Sequence, residues 1–415
     1  MSYRINLFRV VDALSSGLDL VGIDDLFHGK RVGLMALRVA EELSWPRARR
    51  ESLLHAALLH DCGVSTTTEH EHLATEFEYG NAQEHCRVGS DLMRGVHLLR
   101  DLAPIVRYHH TRWDEMARHW IPSSIAEMAN LIFLVDRLDV LRAALGGADE
   151  AAHREMLLAP LTDAGGTLFH PVLVEALRRA TEKEGFWADL RPASLHARLT
   201  ERAAAFATTE KEIGFDELKS LTLMFAHIID AKSHFTAEHS IKVAETASYI
   251  AAEIGLEPAV CDGIEIAGLL HDLGKLRVPD AILDKPGPLT DTEWRVMRHH
   301  AEDTQDILFQ LFGNTAITQW AALHHETLLG DGYPSRCPAE RIPLEARIVA
   351  IADILQALVQ DRPYRDGLYP DQVMTILDDM AGAGRIDRRI TGFVRAHLLP
   401  CWAVAGGCHE RLCAA

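Results

Sequence analysis

The chain has 415 residues, of which 48% are hydrophobic and 25% are charged, a composition typical of a globular protein with two or three hydrophobic cores. Its formal net charge of −18 at pH 7 repels polyanions, so we expect neither a polymeric nucleic acid nor an anionic membrane surface as its partner. A small anionic substrate remains compatible with this charge if metal ions and a few basic side chains neutralise it locally.

The sequence predicts a cytoplasmic protein with reduced thiols. No apolar run reaches the ~18 residues that a membrane-spanning helix needs, and the first residues lack the layout of a signal peptide. The seven cysteines are scattered and odd in number, which does not favour a disulfide framework.

Helical periodicity dominates the chain. Apolar residues recur at helical spacing over 26–43, 48–61, 240–256 and 261–275, whereas convincing alternating strands are absent. The segment 182–216 mixes charged and alanine-rich stretches with proline and glycine, which is typical of a connector. We therefore predict an all-α protein with a first domain over 1–190, a helical linker over 191–216 and a second domain over 217–415.

A spacing of histidine and aspartate occurs twice. His28 is followed 32 positions later by the pair His60-Asp61, and His239 is followed 32 positions later by the pair His271-Asp272. Each half then continues with a single histidine, a histidine pair and an aspartate: His85, His109, His110 and Asp136 in the first half, and His300, His324, His325 and Asp353 in the second. The order indicates two copies of one metal-binding architecture.

The residue types favour a pair of transition-metal ions. Histidine nitrogens with carboxylate oxygens suit Fe, Mn, Co, Ni or Zn, whereas Mg and Ca prefer oxygen ligands alone. Neighbours on a helix point about 100° apart, so a doublet serves two ions more easily than one. We expect Asp272 to bridge the ions. The other ligands then divide into two sets: His239, His271 and Asp353 for one ion, and His300, His324 and His325 for the other.

A pair of ions of this kind holds a hydroxide that attacks a phosphodiester at neutral pH. Lys275 lies one helical turn after His271, so it is placed to contact the phosphate or the leaving oxygen. The alternative for Lys275 is a solvated lysine at a helix end.

Several motifs of the second half resemble the HD-GYP subgroup of the HD phosphohydrolases. They are HSIKV from His239, HDLGK from His271, VMRHHAEDTQDIL around His300, HHE from His324, GYP from Gly332 and IADILQALVQDRPYR from Ile351. The resemblance covers residues 218–365. It implies an HD-type helical bundle with an iron or manganese site that hydrolyses cyclic di-GMP to pGpG and GMP, and some members of the subgroup cleave cyclic GMP-AMP instead.

The resemblance also implies roles for individual residues. The family's metal ligands fall on the seven histidines and aspartates of the second half, and Asp272 and Lys275 fall on its catalytic positions. Arg362 and Arg365 match arginines that grip substrate phosphates, for which a guanidinium is well suited. Tyr333 corresponds to the tyrosine of the GYP signature, which shapes the loop beside the site or docks a signalling partner; simple loop packing is the alternative.

The second half departs from the family pattern at three positions. Leu329 replaces an aspartate after HHE, Gln356 replaces an aspartate three positions after Asp353, and Phe235 replaces a glutamate found in members with three metals. We therefore expect two ions rather than three.

The first half keeps the ligands but not the rest of the motif. Val64 stands at the position of the lysine, and nothing like GYP or RPYR follows. Asp24 lies four residues before His28, where it serves as an extra ligand or as a helix cap. We expect a regulatory domain, with or without metal, that does not turn over substrate.

The predicted function is hydrolysis of cyclic di-GMP in the second domain by a dinuclear iron or manganese centre, with Ni, Co or Zn as other ions of the same ligand preference. Three alternatives remain: cyclic GMP-AMP as the substrate, a retired domain that binds a nucleotide or scaffolds partners, and hydrolysis of another nucleotide or phosphomonoester. A homodimer is possible, and the sequence does not determine the oligomeric state.

Overall fold

The computed structural model describes residues 2–19, 27–64, 66–78, 80–146, 149–204, 206, 210–232, 238–361 and 365–407. These residues form two compact units, one over Arg4–Ile213 and one that combines residues 2–3 with the residues from Gly214 onwards. The all-α prediction is confirmed, with the addition of two short paired strands, β1 (Ser2–Asn6) and β2 (Glu210–Gly214). None of the described helices has both the length and the apolar character that crossing a membrane requires.

The first unit is a bundle of long helices with shorter ones between them. Its helices are α1 (Leu7–Leu18), α2 (His28–Glu42), α3 (Arg47–Leu58), α4 (Thr67–Thr75), α5 (Ala82–Arg94), α6 (Ala103–Arg107), α7 (Trp113–Met116), α8 (Ser123–Ala143), α9 (Arg154–Asp163), α10 (Pro171–Glu182), α11 (Phe186–Asp189) and α12 (Pro192–Ala203). Two 3-10 turns cover Arg100–Leu102 and Ala117–His119.

The second unit repeats this arrangement. Its helices are α13 (Phe215–Lys232), α14 (His239–Glu253), α15 (Pro258–Leu270), α16 (Asp280–Leu283), α17 (Asp291–Phe312), α18 (Ala316–Ala322), α19 (Leu344–Val359), α20 (Pro370–Gly382), α21 (Arg388–Ala396) and α22 (Leu398–Val404). Two further 3-10 turns cover Leu273–Arg277 and Ala339–Arg341.

Five helices in each unit carry the duplicated histidines and aspartates. The first histidine begins α2 and α14, and the His-Asp pair follows the end of α3 and α15. The single histidine lies within α5 and α17, the histidine pair follows α6 and α18, and the last aspartate lies within α8 and α19. Placing ligands at helix ends lets adjacent residues point in directions that a continuous helix would not allow.

The segment predicted as a linker, residues 191–216, contains a helix that belongs to the first unit. Helix α12 buries Leu195 and Leu199 and packs against α2. Because these leucines are buried in the first unit, the boundary between the two units lies after Ile213 and not near residue 191.

A glycine after each His-Asp pair permits close backbone packing. A Cβ atom on Gly274 would lie 2.0 Å from the carbonyl oxygen of His300, and a Cβ atom on Gly63 would lie 2.0 Å from that of His85. Non-bonded atoms do not approach this closely, so only glycine lets the turn lie on the helix that carries the next histidine. The backbone N–H of Gly274 also donates to Thr304 Oγ1 at 2.8 Å.

We predict that Gly274→Ala destabilises the second unit by about 1–3 kcal/mol or more, because the added methyl group forces the turn away from α17. Thermal and urea unfolding measure the change. Gly382→Ala is the matched control, since nothing lies within 4 Å of a Cβ atom at that position. Equal stability of the two variants would contradict the packing argument.

Candidate metal centres

The second unit brings all seven predicted ligands together. They form two groups in which the potential ligand atoms lie within 4.8 Å of one another: Asp272, His300, His324 and His325 in one group, and His239, His271 and Asp353 in the other. No other set of this kind is found among the described residues of the second unit.

Asp272 lies between the two groups. Its Oδ2 atom is 3.4 Å from His239 Nε2 and 3.1 Å from His271 Nε2. Its Oδ1 atom is 3.5 Å from His300 Nε2 and 3.9 Å from His324 Nε2. One carboxylate oxygen therefore faces each group, which is the geometry that a bridging ligand needs.

Backbone carbonyls fix the tautomer of three of the histidines. The Nδ1 atoms of His271, His300 and His324 lie 2.7, 2.5 and 2.6 Å from the carbonyl oxygens of residues 268, 297 and 321. A carbonyl oxygen only accepts hydrogen bonds, so each Nδ1 carries the hydrogen and each Nε2 has a free lone pair. This is the arrangement in which histidine binds a metal.

The same lone pairs lack hydrogen-bond partners among the described residues. The Nε2 atoms of His239, His271, His300 and His324 are buried without a partner, as is Asp272 Oδ1. Leaving a buried polar atom unsatisfied costs about 1–3 kcal/mol, so a cluster of such atoms is unfavourable unless another species binds them. Metal ions satisfy these atoms, and the residues therefore fit a metal centre.

Burial keeps three of these imidazoles neutral, whereas the effect of burial on His271 is outweighed by Asp272, which raises the pKa of His271 to about 8. Loss of solvent lowers the pKa of His300 to about 4 and that of His324 to about 3, and it lowers the pKa of His325 well below the usual range. The neutral form is the one that coordinates metal. Burial raises the pKa of Asp272, but His271 and Lys275 outweigh that effect and keep this pKa well below its usual range.

Two residues outside the predicted ligand set support the first turn of α14, where His239 lies. The Nδ1 atom of His239 lies 2.5 Å from Gln356 Oε1, and an amide oxygen accepts a hydrogen bond from it. Asp230 accepts hydrogen bonds from the backbone N–H and the hydroxyl of Ser240, the next residue of α14. Asp230 could have been found by aligning the repeats, because Asp19 precedes His28 by the same nine positions.

A cavity of about 420 Å³ opens beside this cluster. Lys275 and Tyr333 line it together with His239, Asp272, His300 and His325. The ammonium group of Lys275 lies 2.5 Å from Asp272 Oδ2, so a positive charge stands at the junction of cavity and cluster.

Of the two predicted phosphate-binding arginines, the structure describes Arg365, which does not line the cavity. The guanidinium group of Arg365 donates to the carbonyl oxygens of Ala357 and Leu358 near the C-terminal end of α19. Arg362 lies outside the described residues, as do Phe235 and Asp24.

Glu326 holds the GYP loop. Its carboxylate accepts hydrogen bonds from the backbone N–H groups of Ser335 at 2.7 Å and Cys337 at 3.2 Å. Leu329, which replaces an aspartate of the family pattern, is 58% exposed, while Asp331 pairs with the hydroxyl of Thr327. The loop is therefore closed by Glu326 rather than by the residue at position 329.

The first unit assembles the equivalent cluster. Its ligand atoms also form two groups, with Asp61, His85, His109 and His110 in one and His28, His60 and Asp136 in the other. The Nδ1 atoms of His60 and His109 again lie 2.8 and 2.7 Å from backbone carbonyl oxygens. Metal ligation is therefore sterically and chemically feasible in both units.

The surroundings of the first cluster differ from those of the second. Two cavities beside it measure about 20 and 10 Å³, and a third, which His110 lines, measures about 210 Å³. All three are smaller than the roughly 300–1,000 Å³ that is usual for small-molecule sites. Val64 is buried where Lys275 stands in the second unit. The Nδ1 atom of His28 lies 2.9 Å from Asp139, an aspartate at the position of Gln356.

Arg137 closes the first cluster. Its guanidinium group is buried, lies 2.8 Å from Asp136 Oδ2 and donates to the carbonyl oxygens of Leu73 and Glu76. It therefore ties the end of α4 to the ligand Asp136. The equivalent residue of the second unit is Ile354, which cannot make these bonds.

Two HD-domain family models match the chain, one over residues 26–143 and the other over residues 223–390. These ranges contain the two clusters. A crystal structure of a cyclic GMP-AMP-specific phosphodiesterase from Vibrio cholerae has the same fold, with a TM-score of 0.65 at 23% identity, and the match covers 97% of this chain and 98% of that chain.

The chain is also similar in sequence to characterised enzymes. It is 34% identical over 395 residues to the 3'3'-cGAMP-specific phosphodiesterase 1 of Vibrio cholerae serotype O1. This alignment covers 94% of this chain and 91% of the relative. It is 28% identical over 306 residues to the cyclic di-GMP phosphodiesterase response regulator RpfG of Xanthomonas campestris pv. campestris. This second alignment covers 68% of this chain and 78% of that relative. The chain therefore belongs to the HD-superfamily phosphohydrolases and carries two HD domains.

We predict that Gln356→Leu weakens metal binding in the second domain by about 10- to 100-fold, because His239 loses the acceptor that orients its ring. Gln356→Glu, which retains an acceptor oxygen, should bind metal at least as well as the wild type. Metal content after dialysis against graded chelator concentrations measures the effect. Gln319→Leu, a change on the exposed surface, serves as the control, and unchanged metal content in Gln356→Leu would refute the role of Gln356.

We predict that Arg137→Ile, which copies Ile354, loosens the end of α4. Three carbonyl oxygens over residues 73–77 lose their donor, so amide hydrogen exchange in this segment should become faster. Hydrogen-exchange mass spectrometry measures the change. The exposed ion pairs of Arg87 contribute little, so Arg87→Ala should leave the exchange unaltered. Unchanged protection of 73–77 in Arg137→Ile would mean that other contacts hold the segment.

Proposed function

We propose that the second HD domain, residues 217–415, is a metal-dependent phosphodiesterase that hydrolyses a cyclic dinucleotide to a linear product. The observation that carries this proposal is the open cavity beside a complete ligand set with Lys275 at the junction. Its volume of about 420 Å³ falls in the range of roughly 300–1,000 Å³ that is usual for small-molecule sites.

We place 3'3'-cyclic GMP-AMP ahead of cyclic di-GMP as the substrate. The relative named for cyclic GMP-AMP aligns with 94% of the chain, whereas the relative named for cyclic di-GMP aligns with 68%. This order reverses the preference drawn from the sequence motifs alone. Cyclic di-GMP remains the second candidate.

Residues of the chain would supply binding and charge stabilisation. When bound, the metal ions activate a water molecule at neutral pH and neutralise phosphate charge. Lys275 is partly exposed to the cavity, where its ammonium group stabilises negative charge that develops on the leaving oxygen. Burial raises the pKa of Tyr333, so its hydroxyl stays protonated and donates to a phosphate oxygen.

The donor set supports iron or manganese as the metal. Imidazole nitrogens and carboxylate oxygens suit both ions, and Co, Ni and Zn have the same ligand preference. The seven ligands provide for two ions, with Asp272 between them.

The first HD domain, residues 1–190, is proposed to be regulatory. It retains the ligands but has valine at the position of the lysine and Arg137 beside the ligand Asp136. The cavities that border its cluster in the described residues measure about 210 Å³ or less. A domain of this kind binds metal without admitting a dinucleotide.

An assay with purified protein tests the function. The protein is prepared without oxygen, loaded with iron or manganese, and incubated separately with 3'3'-cyclic GMP-AMP and cyclic di-GMP, and the products are separated by chromatography. We expect linear products, with faster turnover of cyclic GMP-AMP. Absence of product from both substrates while metal is bound would refute the enzymatic proposal.

Matched substitutions test the division of labour between the domains. Asp272→Ala should lower turnover by at least about 1,000-fold, since it removes the residue that faces both ligand groups. Asp61→Ala changes the equivalent residue of the first domain and should leave turnover within about three-fold of the wild type, since the cavities beside that cluster are smaller than a usual small-molecule site. Metal content and kcat are measured for both variants, and equal loss of kcat would contradict the proposal.

A further inference from the structure

The cavity of the second domain extends from the ligand cluster along one face of α17. Trp294, Met297 and His300 follow one another at intervals of three residues, and all three line the cavity. Consecutive residues at this spacing lie about 60° apart around a helix, so the three side chains cover adjacent parts of the side of α17 that borders the cavity. Six residues of helix correspond to about 9 Å, a length that a nucleotide spans from its phosphate to the far side of its base.

Trp294 presents an aromatic surface at the outer end of this face. It is 43% exposed, although tryptophan side chains are usually well covered in a folded protein. The guanidinium group of Arg298 lies 5.6 Å from the centre of the Trp294 ring and 5.6 Å from the centre of the Tyr333 ring. A cation between the two rings restrains both by cation–π attraction, so the surface is ordered before a ligand arrives.

A loop over residues 284–289, which precedes α17, also lines the cavity. Pro286, Pro288 and Leu289 line the cavity, as does Lys285. Lys285 lies 2.5 Å from the carboxylate of Glu293, in the first turn of α17, so the loop is tied to the helix that carries Trp294. The aromatic ring of Trp294 and the apolar residues of this loop therefore line one slot, which offers apolar surface to a flat ring.

We propose that Trp294, Met297 and the loop 284–289 form the subsite for one purine base of the cyclic dinucleotide, with the base stacked on the Trp294 ring. This inference rests on the function proposed above. Continuity of the cavity with the ligand cluster favours a base as the occupant, since a phosphodiester at the cluster places its own base in the slot. Every base offers a π face, so stacking provides affinity without selecting one purine.

Steady-state kinetics of three variants test the subsite. Trp294→Ala should lower kcat/KM for 3'3'-cyclic GMP-AMP by about 10- to 100-fold, mainly through KM, because a stacked base contributes affinity of this order. Trp294→Phe retains an aromatic face and should restore most of the loss. Phe309→Ala is the matched control, because Phe309 is 58% exposed on the same helix and does not line the cavity. This control should behave as the wild type.

A second substrate separates base binding from damage to the metal cluster. Bis(p-nitrophenyl) phosphate is a phosphodiester without a nucleobase, so Trp294→Ala should affect its hydrolysis far less than that of the dinucleotide. Metal content of each variant is measured in parallel.

The possible outcomes distinguish this inference from the proposed function. An unchanged KM in Trp294→Ala, in a wild type that cleaves the dinucleotide, overturns the subsite and leaves the function intact. Equal losses on both substrates assign Trp294 to maintenance of the cluster and also overturn the subsite. A wild type that hydrolyses the simple diester but neither dinucleotide overturns the function and the subsite together.

Discussion

The structure of the second HD domain depends on burying a carboxylate between two groups of potential metal ligands. Asp272 directs one oxygen to each group, and the histidines around it direct Nε2 atoms inward because backbone carbonyls accept hydrogen bonds from three of their Nδ1 atoms. So many buried atoms without hydrogen-bond partners are unfavourable in a protein interior unless they coordinate metal. Two features bring this cluster together: ligands placed at helix ends, and Gly274, which lets the turn after Asp272 lie against α17.

The two domains show how one ligand set serves different purposes. The clusters have the same residues in the same two groups, but the second has Lys275 and an open cavity while the first has Val64 and Arg137. The support of the first histidine also differs, since a carboxylate of Asp139 stands where the second domain has the neutral amide of Gln356. A carboxylate makes its histidine more basic than an amide does, so the metal affinities of the domains need not be equal.

Access to the cluster distinguishes the domains more sharply than the ligands do. Arg137 joins the end of α4 to Asp136, and the cavity that these two residues line measures only about 10 Å³. The cavity on the side of His110 measures about 210 Å³, half the volume of the one in the second domain. In the second domain, the face of α17 from His300 to Trp294 borders a cavity of about 420 Å³. Only the second domain therefore combines the cluster with space for a nucleotide among the residues that the structure describes.

The sequence by itself determined the helical class, the tandem arrangement and the identity of the candidate ligands. Metal coordination needs particular residue types, and their repeated order is visible without coordinates, as is the exchange of Lys275 for Val64. Only the tertiary structure showed that Gln356 supports His239 from 117 positions away, that Arg137 closes the first cluster, that Arg365 caps α19 and that Trp294 borders the cavity. These contacts join residues far apart in the chain or depend on the direction of one side chain, and neither leaves a periodic pattern in a single sequence.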